Sequence, residues 1–224
     1  MIVFSHRANL NGPNPEAENS LSATRAALEL GFGLETDLRK NGDGRFYIAH
    51  DSGAWSESND FAQFSRLFQE HAGACIAMNV KELGYEKDLV DLMLSGRLGT
   101  NAFYFDFELL EPQQPGRTQN LIHSLPRGPK VRMAARLSDR GERMEQCLGI
   151  PAKIVWADEF DSLWLERHHV ETVQREGRRF YVISPELHGF GEADRLRRWA
   201  DFKAWGIDGL CTDYALQARE FFLR

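Results

Sequence analysis

A chain of 224 residues, 42% hydrophobic and 27% charged, has enough apolar surface for a packed core, which excludes a disordered chain. Its formal net charge of −6 excludes nucleic-acid binding through a broad basic surface, but leaves room for a small anion held in a local cationic pocket. Three cysteines, Cys75, Cys147 and Cys211, without metal-ligand spacing, exclude a disulfide framework.

The first apolar run, 2–7, reads as a strand ending in His6-Arg7. Its few apolar residues are too short for the hydrophobic region of a signal peptide. Ser20 caps a helix over 21–30 that Gly31 ends. A second strand covers 33–39. Asn41-Gly42-Asp43-Gly44 is a turn signal, so 45–50 reads as the return arm of a hairpin rather than a further stave. Phe61, Phe64, Leu67 and Phe68 have helical spacing within 60–72. From there strands at 75–81, 102–107, 131–136, 154–158, 180–184 and 207–212 alternate with helices at 85–98, 117–125, 139–148, 162–176, 192–205 and 215–223.

Eightfold strand–helix alternation predicts a parallel sheet, closed as a (β/α)8 TIM barrel or open and doubly wound. The first strand is not followed by GxGxxG, which weighs against a dinucleotide-binding fold. No linker or composition shift interrupts 1–224, so one domain is expected, with a small hairpin and short insertion after the second strand. No apolar run approaches the roughly 20 residues of a membrane span. The expectation is a soluble, cytoplasmic protein without nucleic-acid partners; the sequence leaves the oligomeric state open.

Charged residues gather at the C-terminal ends of the predicted strands: His6-Arg7, Glu35 and Asp37, Asn79 and Lys81, Asp106 and Glu108, then Arg136, Asp158, Ser184 and Asp213. In a barrel that end carries the active site. Glu35 and Asp37 are two apart on one strand and point the same way. Two adjacent carboxylates repel unless a cation compensates them, and oxygen-only ligands suit Mg²⁺ or Ca²⁺. The alternative is a charged pair on a solvent-facing edge. His6 and His50 are candidates for proton transfer, with Asp51 either orienting His50 or capping the loop. Arg7 and Lys81 could hold a phosphate or simply pair with Glu35 or Asp37. His71, His123, His168, His169 and His188 are expected on helices or loops facing solvent.

The segments His6-Arg7-Ala8, Glu18-Asn19-Ser20, Glu35-Thr36-Asp37, Lys40-Asn41-Gly42-Asp43-Gly44 and His50-Asp51 occur in this order. Together with Gly206-Ile207-Asp208-Gly209-Leu210-Cys211-Thr212-Asp213 near the end, they resemble the glycerophosphodiester phosphodiesterase family of phospholipase-C-like barrels. The likeness covers both termini; the middle, roughly 85–200, shares only the strand–helix rhythm. It implies a divalent-metal-dependent hydrolysis of a small phosphodiester. His6 and His50 would be acid and base, Glu35 and Asp37 metal ligands, and Arg7 and Lys81 phosphate contacts.

Three departures stand out. The family's Glu-x-Lys on the third strand is here Asn79-Val80-Lys81, which removes one negative charge from the implied ligand set; Asp106 is the candidate to compensate, unless it pairs with Lys81 or Arg136. The insertion after His50-Asp51 is short, and its Trp55 and Phe61 either contact substrate or anchor the loop. The family's aromatic seventh strand is replaced by Val182-Ile183-Ser184. A catalytically altered barrel that binds a phosphorylated ligand is therefore a competing expectation, as is a barrel lyase or isomerase.

Overall fold

A computed structural model describes residues 1–53 and 55–223; Ala54 and Arg224 lie outside the described residues. Among the described residues nine strands form one sheet: β1 (Ile2–His6), β2 (Gly33–Lys40), β3 (Phe46–Ile48), β4 (Ile76–Val80), β5 (Phe103–Phe105), β6 (Ala134–Ser138), β7 (Ile154–Asp158), β8 (Arg179–Ile183) and β9 (Gly209–Thr212). Eight run parallel in the order β5-β4-β2-β1-β9-β8-β7-β6. The two ends of that path meet where Tyr104 N donates to Arg132 O (3.1 Å) and Tyr104 bridges Met133. The result is a nearly closed (β/α)8 barrel.

β3 is the hairpin arm, antiparallel to β2, with Leu38 opposite Ile48 and Lys40 opposite Phe46. Asn41 Oδ1 accepts from the backbone of Asp43 and Arg45, and Gly44 takes the positive φ of 83° that closes the turn. Nine α-helices lie among the described residues: α1 (Leu21–Glu29), α2 (Phe61–Glu70), α3 (Glu86–Leu94), α4 (Phe107–Leu110), α5 (Arg117–Ser124), α6 (Met144–Gly149), α7 (Arg167–Arg175), α8 (Glu192–Trp205) and α9 (Ala215–Leu223). Ser20 caps α1 by accepting from Ala23 N, and Asp60 caps α2 by accepting from Ala62 N.

The alternation of each strand sets two cores. Outward-facing Leu34, Leu38, Met78, Val80 and Tyr104 pack under the helices on one side, and Val155, Val182 and Leu210 on the other. Inward-facing Phe4, Phe103, Phe105, Trp156 and Tyr181 fill the barrel. The Phe4 ring sits 5.1 Å from that of Tyr181 and 5.7 Å from that of Trp156. Space for it comes from the first residues of two neighbouring strands. A Cβ on Gly33 would lie 2.8 Å from Phe4 Cδ1, and one on Gly209 would lie 2.9 Å from Phe4 Cε2. This aromatic floor lifts the polar residues of the same strands toward the C-terminal mouth.

Three predicted elements are corrected. The strand expected at 131–136 runs over Ala134–Ser138, so Arg136 is an interior mid-strand residue. The helix expected at 139–148 begins only at Met144. Asp139 instead accepts backbone N–H groups from Phe160, Asp161 and Ser162, which ties 139–143 down as a loop. The helix expected at 162–176 begins at Arg167, because Leu165 is buried and its N–H is bound by Glu159. Phe61 is 1% exposed and Trp55 donates to Asp60 Oδ2 (3.0 Å), so both anchor the short loop.

Candidate functional site

Strand register brings the first group of polar residues together at the mouth. His6 on β1 is paired with Glu35 on β2, and Asp37 with Asn79 on β4, all on the inward face. Beyond β1 the chain turns sharply: Arg7 and Ala8 have φ of 47° and 67°, and Ser5 Oγ holds the turn by donating to Asn9 O (2.7 Å). This turn aims Arg7 N at Glu35 Oε2 (3.2 Å).

Asp213, just past β9, accepts at Oδ1 from Asn9 Nδ2 (2.9 Å) and lies 2.7 Å from His6 Nδ1. The other ring nitrogen, Nε2, is left 3.8 Å from Glu35 Oε2. Burial alone would lower the His6 pKa. The Asp213 hydrogen bond and the charges of Glu35 and Asp213 outweigh it, so the imidazole holds its proton above its usual range.

Glu35 and Asp37 are both buried, and their environments separate them. Lys81 Nζ is 3.0 Å from Asp37 Oδ1, Arg7 Nε is 3.4 Å from Oδ2, and Asn19 Nδ2 donates to Oδ2 at 2.8 Å. Burial would raise Asp37, but Lys81, Arg7 and Asn19 bring it below the ordinary carboxylate value. Asn19 is itself fixed by Thr36 Oγ1, which donates to its Oδ1 (2.8 Å). Glu35 has less compensation: burial, and then the charge of Asp37, push it up to about 7. Of the sequence alternatives for Arg7 and Lys81, the ion pair is present: both pair with Asp37, and each remains partly exposed at the mouth.

A second group lines the opposite wall. Arg136, its side chain 1% exposed, bridges Asp106 and Asp158, and Asp158 also pairs with His188 Nε2. Asn79 Nδ2 donates to the remaining oxygen of Asp106 (2.9 Å). Burial raises the Asp106 pKa, Arg136 opposes that rise, and Asp158 adds to it. Phe160 covers this group, its ring 4.3 Å from that of His188 and 4.7 Å from the Arg136 guanidinium. His188 therefore faces the mouth and not bulk solvent as the sequence reading expected; nothing local to Leu187-His188-Gly189 marks it, because its partner lies thirty residues away.

His50 stands at the rim. Its side chain is 41% exposed and pairs through Nδ1 with Asp51 Oδ1 (2.8 Å). Its backbone is placed by the mouth: Arg39 donates to His50 O, and Ala49 N donates to Asp37 O (3.1 Å). A cleft of about 890 Å³ runs from His50 past Glu18 and Asn19. These two are the partners of Arg7 and Asp37, so the cleft abuts the first group.

Among the described residues no three His, Cys, Asp or Glu side chains gather as a metal ligand set. The oxygen donors nearest to one are the Glu35 and Asp37 carboxylates with the Asn79 amide. One observation fits a divalent cation there: Glu35 is buried beside Asp37 and carries a raised pKa. Asp37 Oδ1 already has Lys81 Nζ at 3.0 Å, so a cation would share that oxygen with the ammonium. Asp106 does not join them, since its oxygens are engaged by Arg136 and Asn79.

No family model matches the sequence, and no curated protein matches it. Solved structures do. A protein of Galdieria sulphuraria is 18% identical with a TM-score of 0.75, over 100% of this chain and 98% of its own. A glycerophosphodiester phosphodiesterase of Parabacteroides distasonis is 13% identical with a TM-score of 0.73, over 99% and 96%. An Oleispira antarctica phosphodiesterase, solved with the product sn-glycerol-3-phosphate, is 12% identical with a TM-score of 0.70, over 100% and 97%. At these identities the likeness establishes the fold.

Proposed function

We propose that this chain is a divalent-cation-assisted phosphodiesterase that hydrolyses a small, glycerophosphodiester-like substrate at the C-terminal mouth of its barrel. The carrying observation is the contact set in which His6, Glu35, Asp37, Arg7 and Lys81 meet on three adjacent strands. Barrels of the same fold include glycerophosphodiester phosphodiesterases, and one was solved with a glycerol phosphate product. Glu35, Asp37 and Asn79 would hold Mg²⁺ or Ca²⁺, which when bound supplies positive charge to a phosphate oxygen.

The chain's own groups account for the rest. Arg7 and Lys81 contribute fixed positive charge beside the phosphate. Asp213 orients the His6 ring and keeps it protonated, which suits donation from Nε2 to the departing alkoxide. His50, at the rim and open to solvent, takes the proton of the attacking hydroxyl, either water or a neighbouring alcohol of the substrate. The cleft beside His50 receives an alcohol portion of the diester.

Replacing either His6 or His50 by alanine is expected to abolish turnover while leaving the fold intact; full activity in either variant would refute the acid–base assignment. A second reading, a barrel that binds a phosphorylated ligand without turning it over, is favoured by one observation. Lys81 and Arg7 already neutralise Asp37, and Asn79 brings no charge to a metal. Ligand binding without turnover across a panel of diesters and divalent cations would select that reading.

A further inference from the structure

The N-terminal end of the barrel carries a second concave site, unrelated to the mouth. A cavity of about 740 Å³ opens there, a volume usual for a site that takes a small molecule. Its floor includes Phe103, Tyr181 and Cys75. Three basic residues line it at the starts of three neighbouring strands: Arg132 just before β6, Lys153 immediately before β7, and Arg179 opening β8.

Their charges are not spent on the protein. Arg132, Lys153 and Arg179 are exposed, and among the described residues none of them has an ion pair. Arg179 makes one side-chain hydrogen bond, to the Tyr181 hydroxyl (3.3 Å). Basic residues elsewhere on this end of the barrel behave differently. Arg178 donates to the carbonyls of Cys147 (3.2 Å) and Ile150 (3.1 Å) at the end of α6, and Arg219 donates to Leu30 O (3.0 Å) at the end of α1. Those two serve as caps for helix C-termini, whereas Arg132 and Lys153 cap nothing.

Arg132 and Arg179 line the same cavity as Cys75. Burial pushes the Cys75 thiol up to about 11, and the charges of Arg132 and Arg179 both act on it in the opposite direction. Among the described residues the one acidic residue lining the cavity, Glu70, pairs with Arg25 (3.2 Å). Asp208 lies near enough to Arg179 to offset part of its charge, but it does not line the cavity, and its Oδ2 accepts from Gln174 Nε2 (3.1 Å) and Phe180 N (2.9 Å). Three like charges around one concavity, on a chain of net charge −6, make it locally cationic and favour an anion there.

We propose that this cavity is a binding site for a small polyanion, a phosphate- or carboxylate-bearing metabolite with at least two negative charges. Arg132, Lys153 and Arg179 contact those charges, above a closed floor formed by the buried Phe103 and Tyr181.

The test uses the whole protein and a local reporter. Cys147 and Cys211 are buried, while Cys75 is only partly so, so slow labelling by N-ethylmaleimide reads Cys75 in the cavity. Inorganic pyrophosphate and, separately, citrate are titrated at low salt. The account predicts that at least one of them slows Cys75 labelling, equally in wild type and in Lys81→Ala, where a phosphate contact at the mouth is removed. In the exposed-residue triple variant Arg132→Ala/Lys153→Ala/Arg179→Ala the protecting concentration should rise at least about tenfold, since charge-assisted contacts are lost. Lys153→Glu alone should move it the same way. Protection by pyrophosphate only would assign phosphate ligands, and by citrate only carboxylates. No protection by either at millimolar concentration, undiminished protection in the triple variant, or its loss in Lys81→Ala would overturn the proposal.

Discussion

Glu108→Gln should stabilise the protein in alkaline but not in acid solution. Glu108 lies in α4, buried, behind the wall that Arg136 forms. Its Oε1 accepts from Gln119 Nε2 (2.6 Å) and Arg136 N (3.1 Å). Its Oε2 and Gln119 Oε1 are both buried without partners. A proton on Oε2 would supply the donor that Gln119 Oε1 lacks. Burial pushes this carboxyl from its ordinary 4.5 to about 7, against the opposing Arg136 hydrogen bond. The native state therefore binds more protons than the unfolded chain between those values, and stability falls as pH rises through that window. The difference corresponds to about 3 kcal/mol of destabilisation above pH 7. Glutamine keeps an acceptor, brings a donor and cannot ionise. Urea unfolding near pH 4.5 should show little change, whereas near pH 8.5 the variant should gain about 2–3 kcal/mol over wild type. A pH-independent difference, or a less stable variant at pH 8.5, would refute a neutral, burial-shifted Glu108.

Further outcomes follow from the same contacts. Asp213→Asn removes the negative charge at His6 Nδ1 while keeping an amide oxygen that can accept, so the His6 pKa measured by NMR should drop, and turnover should fall by about a hundredfold; an unchanged titration would separate Asp213 from His6. Gly33→Ala would press a Cβ to 2.8 Å from Phe4 and cost about 1–3 kcal/mol by overpacking, with partial recovery when combined with Phe4→Leu. Mg²⁺ or Ca²⁺ at a hundred times its dissociation constant should add about 2.7 kcal/mol of stability. The added stability should vanish in Glu35→Gln; a thermal shift that survives that substitution would place the cation elsewhere.

The barrel was legible because its signals are local. Each inner strand is a short apolar run, and Asn41-Gly42-Asp43-Gly44 marks the hairpin that keeps β3 out of the barrel path. The first polar group was legible for a related reason: an inward-pointing residue near the end of a parallel strand must reach the mouth, and His6, Glu35 and Asp37 sit there. For Arg136 the sequence was half legible: its pairing with Asp106 was one of the stated alternatives, but its place was not. A charge usually marks a strand's exposed end, whereas here Asp106 and Asp158 neutralise it inside the barrel, and Asp158 as second partner leaves no local trace. His188 was missed in the same way. The basic cavity was invisible because Arg132, Lys153 and Arg179 are scattered along the chain and meet only when β6, β7 and β8 lie side by side.

Phosphorus NMR of a glycerophosphodiester incubated with the purified protein and Mg²⁺ or Ca²⁺ bears most directly on the assigned chemistry. The diester resonance should give way to that of a phosphomonoester, and both His6→Ala and His50→Ala should leave the diester intact. A diester signal that persists with wild-type protein, while the ligand still binds at the mouth, would contradict hydrolysis there.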